Sequence, residues 1–171
     1  MGEHMFKEVL ISLISNVPFI MTTTAVLLGG VIGLAERKKE TMITSMIKFM
    51  MLLSVGVTGF WAFIWHSLFG ATVASYIGWA PSPFQFEVAV AYLGFGFAGL
   101  IGFKQSFNYW FGVSVIWTTF SWGAAVGNLY QMIIHMNFAA GNIGMILCMD
   151  VICPLLLNIL LVYYWRHYKK V

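Results

Sequence analysis

The chain has 171 residues, of which 60% are hydrophobic and only 9% are charged, and its mean hydropathy is +0.86. These values exclude an ordinary soluble domain and indicate a polytopic membrane protein with a single domain over residues 1–171. The net charge of +3 comes from Lys and Arg residues that flank apolar runs, so we expect lipid as a partner and no nucleic acid.

Uninterrupted apolar stretches are long enough to cross a bilayer as helices. They predict five spans, at about residues 9–34, 47–69, 84–103, 109–135 and 142–165. The predicted fold is therefore all-α, a membrane bundle of five transmembrane helices joined by short loops.

The Lys and Arg residues predict how this bundle is oriented. Only Lys7 falls on the side of the N-terminus, and the other eight follow the first, third and fifth spans. These eight are Arg37, Lys38, Lys39, Lys48, Lys104, Arg166, Lys169 and Lys170. Because cytoplasmic loops are enriched in Lys and Arg, we expect the N-terminus outside and the C-terminus inside the cell (inner) membrane.

Helical spacing predicts which face of each span points inward. On the fourth span, small and polar residues recur every three or four positions: Ser114, Thr118, Ser121, Ala125, Asn128, Gln131 or Met132, and His135. On the third span, the comparable stripe is Glu87, Ala91, Gly94 and Ala98, and on the second it is Val55, Gly59, Ala62 and His66. We expect these three faces to pack against neighbouring helices.

Two carboxylates, Glu87 and Asp150, stand alone inside apolar runs. An acid within a membrane span is costly and marks a functional site, whose polar partners should lie at the same depth. The residues predicted in the same half of the bilayer are Glu87, Asp150, His66, His135, Asn128 and Gln131. They predict one polar pocket in the outer half that binds an ion or a small polar ligand, or that relays protons.

The ligand itself is left open by these residue types. Imidazole and carboxylate groups together suit a divalent metal ion such as Zn, Mn or Fe, with His66, Glu87, His135 and Asp150 as the candidate ligands. An alternative is a redox protein that binds haem or quinone through His66 and His135.

A third hypothesis is a non-catalytic subunit or assembly partner of a membrane complex. Gly29 and Gly33 in the first span would then provide a contact face for a homo-oligomer or a larger complex. The chain has none of the nucleophile, phosphate-loop, dinucleotide or zinc-protease motifs of soluble enzymes, which favours a protein that is not an enzyme. Intramembrane acid–base chemistry stays open.

Three polar residues have predicted roles in helix capping. Ser82 lies one position before Pro83 and three before Gln85, as in a capping box in which Ser82 is the N-cap and the Gln85 side chain returns to it. Asn142 is the predicted N-cap of the fifth span.

Two blocks of sequence resemble known motifs. The first is Gly-Trp-Ala-Pro-Ser-Pro-Phe-Gln-Phe-Glu at 78–87, with His66 upstream, and the second is His-Met-Asn-Phe-Ala-Ala-Gly-Asn-Ile-Gly at 135–144, with Asp150 and Pro154 downstream. Both are similar to motifs of a family of small bacterial and archaeal integral-membrane proteins of unknown function. The resemblance implies a compact helical membrane bundle and brings no reaction, substrate or cofactor with it.

Overall fold

The computed structural model describes residues 15–169, and this part of the chain is helical without any strand. The helices are α1 Val17–Glu36, α2 Lys39–Leu68, α3 Gly70–Ile77, α4 Phe84–Gly102, α5 Phe107–His135, α6 Ala140–Ile143 and α7 Met145–His167. A π-helical segment, Met50–Val57, lies within α2. Residues 9–14 of the first predicted span, together with Lys7 and Lys170, lie outside the described residues.

Four stretches in the described part of the chain are long and apolar enough to cross a membrane: Val17–Glu36, Lys39–Leu68, Phe84–Gly102 and Ala140–His167. Helix α5 corresponds to the predicted span at 109–135 and has 29 residues, but it is not among the four. Its Ser, Thr, Asn, Gln, Trp and Tyr residues lower its hydropathy. The predicted all-α fold is confirmed, while the number of five spans stays a prediction.

Glycines allow α1 and α2 to pack closely. Gly29 and Gly33 are buried, and a Cβ atom added at either position would collide with Met46 or Met42 of α2. Small residues of this kind let two helix backbones approach within a membrane bundle. The glycine face that the sequence offered as a contact for a second copy is therefore occupied within the chain.

A second close crossing joins α2 to α4. A Cβ atom at Gly59 would lie 2.6 Å from the backbone N of Gly96, and one at Gly99 would lie 2.5 Å from the Cα of Gly56. The predicted inward face of α2 is confirmed, because Val55, Gly59 and Ala62 are buried. The predicted face of α4 is wrong, since its packed glycines are Gly96 and Gly99.

The predicted stripe on α4 instead points away from α2. Gly94 is exposed, and an added Cβ atom there would have nothing within 4 Å. After its first turn, α4 is glycine-rich and largely apolar on all sides, so its sequence periodicity did not distinguish the face that meets α2 from the opposite face.

Hydrogen bonds between polar side chains join α5 to α7. Ser114 Oγ donates to Asn158 Oδ1 at 2.8 Å, and Asn158 Nδ2 donates to Thr118 Oγ1 at 2.8 Å and to the Pro154 carbonyl at 2.8 Å. Ser114, Ser121, Ala125 and Asn128 are all buried. The polar stripe predicted on α5 is therefore an inward face as far as Asn128.

One end of the bundle carries the basic residues, and we call it the basic end. Lys169 Nζ donates to Asn108 Oδ1 at 3.0 Å and lies 4.5 Å from the Phe107 ring centroid, while Lys39 Nζ lies 5.0 Å from the Tyr163 ring centroid. These contacts bring the starts of α2 and α5 to the end of α7. The described Lys and Arg residues of this end are Arg37, Lys38, Lys39, Lys104, Arg166 and Lys169, and Lys48 lies in the first half of α2.

Candidate ligand-binding cavity

A cavity of about 1060 Å³ lies at the opposite end of the bundle, which we call the cavity end. Its walls come from the ends of α2 and α5, the starts of α4 and α7, the residues just before and at the start of α1, and the short helix α3. Helix α2 packs on α4, and α5 packs on α7, whereas α4 and α5 make few contacts with each other. The cavity therefore occupies the space between two helix pairs.

Asp150 supplies the one carboxylate among the described residues of the cavity wall. A bend at Gly144 separates α6 from α7, so that α7 begins at Met145 and Asp150 falls in its second turn. The side chain is largely buried, and it forms no hydrogen bond or ion pair with another residue in the described range 15–169. Tyr92 and Cys153 line the same cavity.

His66 is held by two contacts where the end of α2 meets the start of α4. Its Nδ1 lies 2.7 Å from Gln85 Oε1, and because an amide oxygen only accepts, Nδ1 is the nitrogen that donates. Its ring stacks on Tyr92 with a centroid distance of 5.5 Å and an interplanar angle of 28°. The imidazole therefore has a fixed orientation in the cavity wall.

This geometry corrects the predicted capping box. Ser82 Oγ does accept the Phe84 backbone N–H at 3.2 Å. The Gln85 Oε1 atom, which would complete a capping box, is directed to His66 instead. Gln85 is therefore a residue of the cavity wall, a role that its sequence position did not suggest.

Asn142 was predicted as an N-cap, and this prediction is wrong. The residue is completely buried within α6, and Gly144 precedes the first turn of α7. Asn142 Nδ2 donates to the backbone carbonyls of Asn128 and Asn137, each at 3.0 Å, and its Oδ1 has no partner among the described residues. Asn142 thus joins the loop after α5 to α6, next to the point where the Asn128 side chain reaches the cavity.

Aromatic rings form much of the remaining wall, and the sequence did not single them out as candidates. They are Trp61, Trp65, Tyr76, Trp79, Tyr92, Trp117 and Phe120. A usable signal was present on α4, where Gln85, Val88 and Tyr92 are spaced at i, i+3 and i+7 and therefore share one face. That face is distinct from the one carrying Glu87.

The other candidate residues lie outside the cavity. Glu87 is exposed on the first turn of α4. His135 is exposed at the end of α5, with its ring 5.6 Å from that of Tyr130, and Gln131 is half-buried outside the cavity wall. Asp150, His66 and Asn128 therefore line the cavity together. Glu87, His135 and Gln131 do not line it.

The positions of these residues can be compared with the predicted metal and haem sites. Among residues 15–169 there is no group of three or more His, Cys, Asp or Glu residues positioned to hold a metal ion. A haem held by two imidazoles would require His66 and His135 to face each other, whereas only His66 lines the cavity.

A family model described as a family of unknown function, DUF6790, matches residues 15–170. No curated protein and no solved structure matches the chain.

Proposed function

The chain belongs to the DUF6790 family of unknown function, and we propose that it is an integral-membrane protein that binds a small ligand in the cavity. One observation carries this proposal: the Asp150 carboxylate lines a cavity of about 1060 Å³ and has no hydrogen-bond or ion-pair partner among the described residues. A volume of this size matches the upper range of small-molecule sites.

The energetic argument concerns the carboxylate. A buried charge is destabilising unless it is paired or hydrogen-bonded, and acids inside membrane spans usually mark a pathway or a binding site. Asn158, by contrast, has all of its polar atoms engaged between α5 and α7. The ligand would provide for Asp150 the partner that the described protein residues do not provide.

We propose that five helices, α1, α2, α4, α5 and α7, span the cell membrane with the basic end in the cytoplasm. Two observations support this topology: α5 packs along α7, and the described Lys and Arg residues gather at one end of the bundle. The cavity would then lie in the outer half of the bilayer.

Cysteine labelling of intact cells tests the topology at α5, which is not among the four stretches long and apolar enough to cross a membrane. In a background where Cys148 and Cys153 are Ala, Phe138→Cys should react with a membrane-impermeant maleimide, and Gln105→Cys should react only after permeabilisation. Labelling of both positions from outside would contradict a transmembrane α5. The reverse pattern would contradict the proposed orientation.

Filling the cavity tests the ligand-binding proposal. Ala124 lines the cavity on α5, whereas Val126 on the same helix is 65% exposed and lies outside the wall. Compounds of positive, negative and zero charge would be screened for those that raise the unfolding temperature of the purified protein. A true cavity ligand should lose its effect in Ala124→Trp and keep it in the matched control Val126→Trp. If no compound distinguishes the two variants, the proposal fails.

A further inference from the structure

We propose that the ligand is an organic cation with a large apolar body, whose charged group is bound by Asp150 and whose body is bound by the surrounding aromatic rings. This inference rests on the proposed function, because it names the class of ligand for the same cavity. Charge, ring chemistry and volume each support it.

The charges of the wall favour a cation. Among the described residues that line the cavity, Asp150 is the only acid, and no Lys or Arg is present. The described basic residues lie at the basic end or in the first half of α2, beyond the cavity wall. An anion would meet an unpaired carboxylate in a wall whose described residues include no Lys or Arg, and a neutral ligand would leave that carboxylate unpaired.

The rings of the wall favour an organic rather than an inorganic cation. Four of the seven Trp residues of the chain, Trp61, Trp65, Trp79 and Trp117, line this one cavity. The faces of Trp and Tyr rings attract cations, and aromatic cages are a general means of binding ammonium groups with little bound water. The same rings also provide apolar area for the uncharged part of a ligand.

The volume of the cavity also favours an organic cation over an inorganic one. A space of about 1060 Å³ is far larger than a bare metal ion requires, and sites for calcium-like ions use six or more oxygen ligands. Asp150 is the only carboxylate in the described wall. A ligand with one positive charge and a bulky aromatic or aliphatic body fills the volume and pairs with the single acid.

A pair of probes with the same shape and opposite charge tests the inference directly. Tetraphenylphosphonium and tetraphenylborate would be measured by equilibrium dialysis against the purified full chain, with empty detergent micelles as the blank. We expect saturable binding of tetraphenylphosphonium alone. Asp150→Asn should weaken this binding by at least about 30-fold, since it removes the only carboxylate that the described wall offers to the cation.

The chain offers a matched control for the acid. Glu87 is exposed and lies outside the cavity, so Glu87→Gln removes one negative charge without changing the wall and should alter the affinity by no more than about twofold. Equal weakening by Glu87→Gln and Asp150→Asn would show a general charge effect and overturn the assignment of Asp150.

A second variant keeps the test decisive if Asp150→Asn does not fold. Ala124→Lys adds a positive charge to the wall while Asp150 is retained, and it should abolish tetraphenylphosphonium binding. Equal binding of both probes to the wild type, with loss of both in Ala124→Trp, would overturn the cation inference and leave the ligand-binding cavity standing. Binding of neither these probes nor any compound of the wider screen would overturn both.

Discussion

Helices α2 and α4 meet each other in two different ways along their length. In the middle of the bundle they are separated only by glycine backbones, with Gly59 against Gly96 and Gly99 against Gly56. At the cavity end the same two helices carry Trp61, Trp65, Gln85 and Tyr92, which border an open space. The contrast shows that one helix pair packs closely where its residues are glycines and contributes large side chains to the cavity wall further along.

The contrast also has a functional meaning. A binding site requires walls that hold their position, and the glycine crossings fix α2 and α4 beside the cavity without occupying it. The polar groups follow the same division, since Asn158 is fully hydrogen-bonded between helices while Asp150 has no partner among the described residues. We expect substitutions at the crossings to change stability and substitutions in the wall to change binding.

The largest expected effect on stability comes from substitution of a glycine where α2 crosses α4. Gly99→Val would push a side chain into the backbone of Gly56, and we expect the free energy of unfolding to fall by about 3 kcal/mol. Gly94→Val on the same helix adds the same atoms where nothing lies within 4 Å, and it should change the stability by no more than about 0.5 kcal/mol. Unfolding in detergent followed by circular dichroism measures both, and equal losses would contradict the crossing.

A smaller effect is expected where the cavity wall is tied to the loop after α5. Asn142→Ala removes two hydrogen bonds to backbone carbonyls, one of them buried, and we expect a loss of about 2 kcal/mol. Asn108→Ala, which removes an exposed contact with Lys169, should cost no more than about 0.5 kcal/mol. The same unfolding assay compares the two, and a larger loss for Asn108→Ala would show that Asn142 is not a structural tie.

Asp150→Asn should raise the free energy of unfolding, whereas the two preceding substitutions lower it. Because the carboxylate is largely buried without a partner among the described residues, replacing it with a neutral amide should stabilise the ligand-free protein by about 1 kcal/mol. Glu87→Gln is the control and should leave the unfolding temperature unchanged, because Glu87 is exposed. A clear loss of stability in Asp150→Asn would mean that the carboxylate is structural rather than reserved for a ligand.

The smallest effect concerns the backbone that ends α5 at the cavity end. Met136 has a φ of 53°, a left-handed conformation that glycine adopts without strain. Met136→Gly should raise the free energy of unfolding by about 0.5 kcal/mol. Met132→Gly, one turn earlier within the helix, should lower it by about 1 kcal/mol. Thermal unfolding measures the stability of both variants. Losses of stability of similar size would exclude relief of strain at Met136.

Some features of the site followed from local sequence alone. The polar stripe of α5 from Ser114 to Asn128 was predictable, because Ser114, Thr118, Ser121, Ala125 and Asn128 recur at three- and four-residue steps. Asp150 stood out for a similar reason, as an acid far from any charge in an apolar run. Asp150, His66 and Asn128 were among the six residues predicted to line one pocket, and these three do line the cavity.

Other features could not be predicted because they depend on how each helix is rotated against its neighbours. Glu87 and Gln85 are two residues apart, and only the packing of α4 decides that Gln85 faces His66 while Glu87 is exposed. The cavity itself arises where two helix pairs separate, which no single helix encodes.

The sequence by itself determined that the described chain is helical, that four of its stretches have the length and hydropathy to cross a membrane, and that its basic residues flank apolar runs. These properties depend on neighbouring residues and on the regular geometry of a helix. Only the tertiary structure decided which groups share the cavity, because helix rotation is set by contacts between residues that are distant in sequence, such as Gly56 with Gly99.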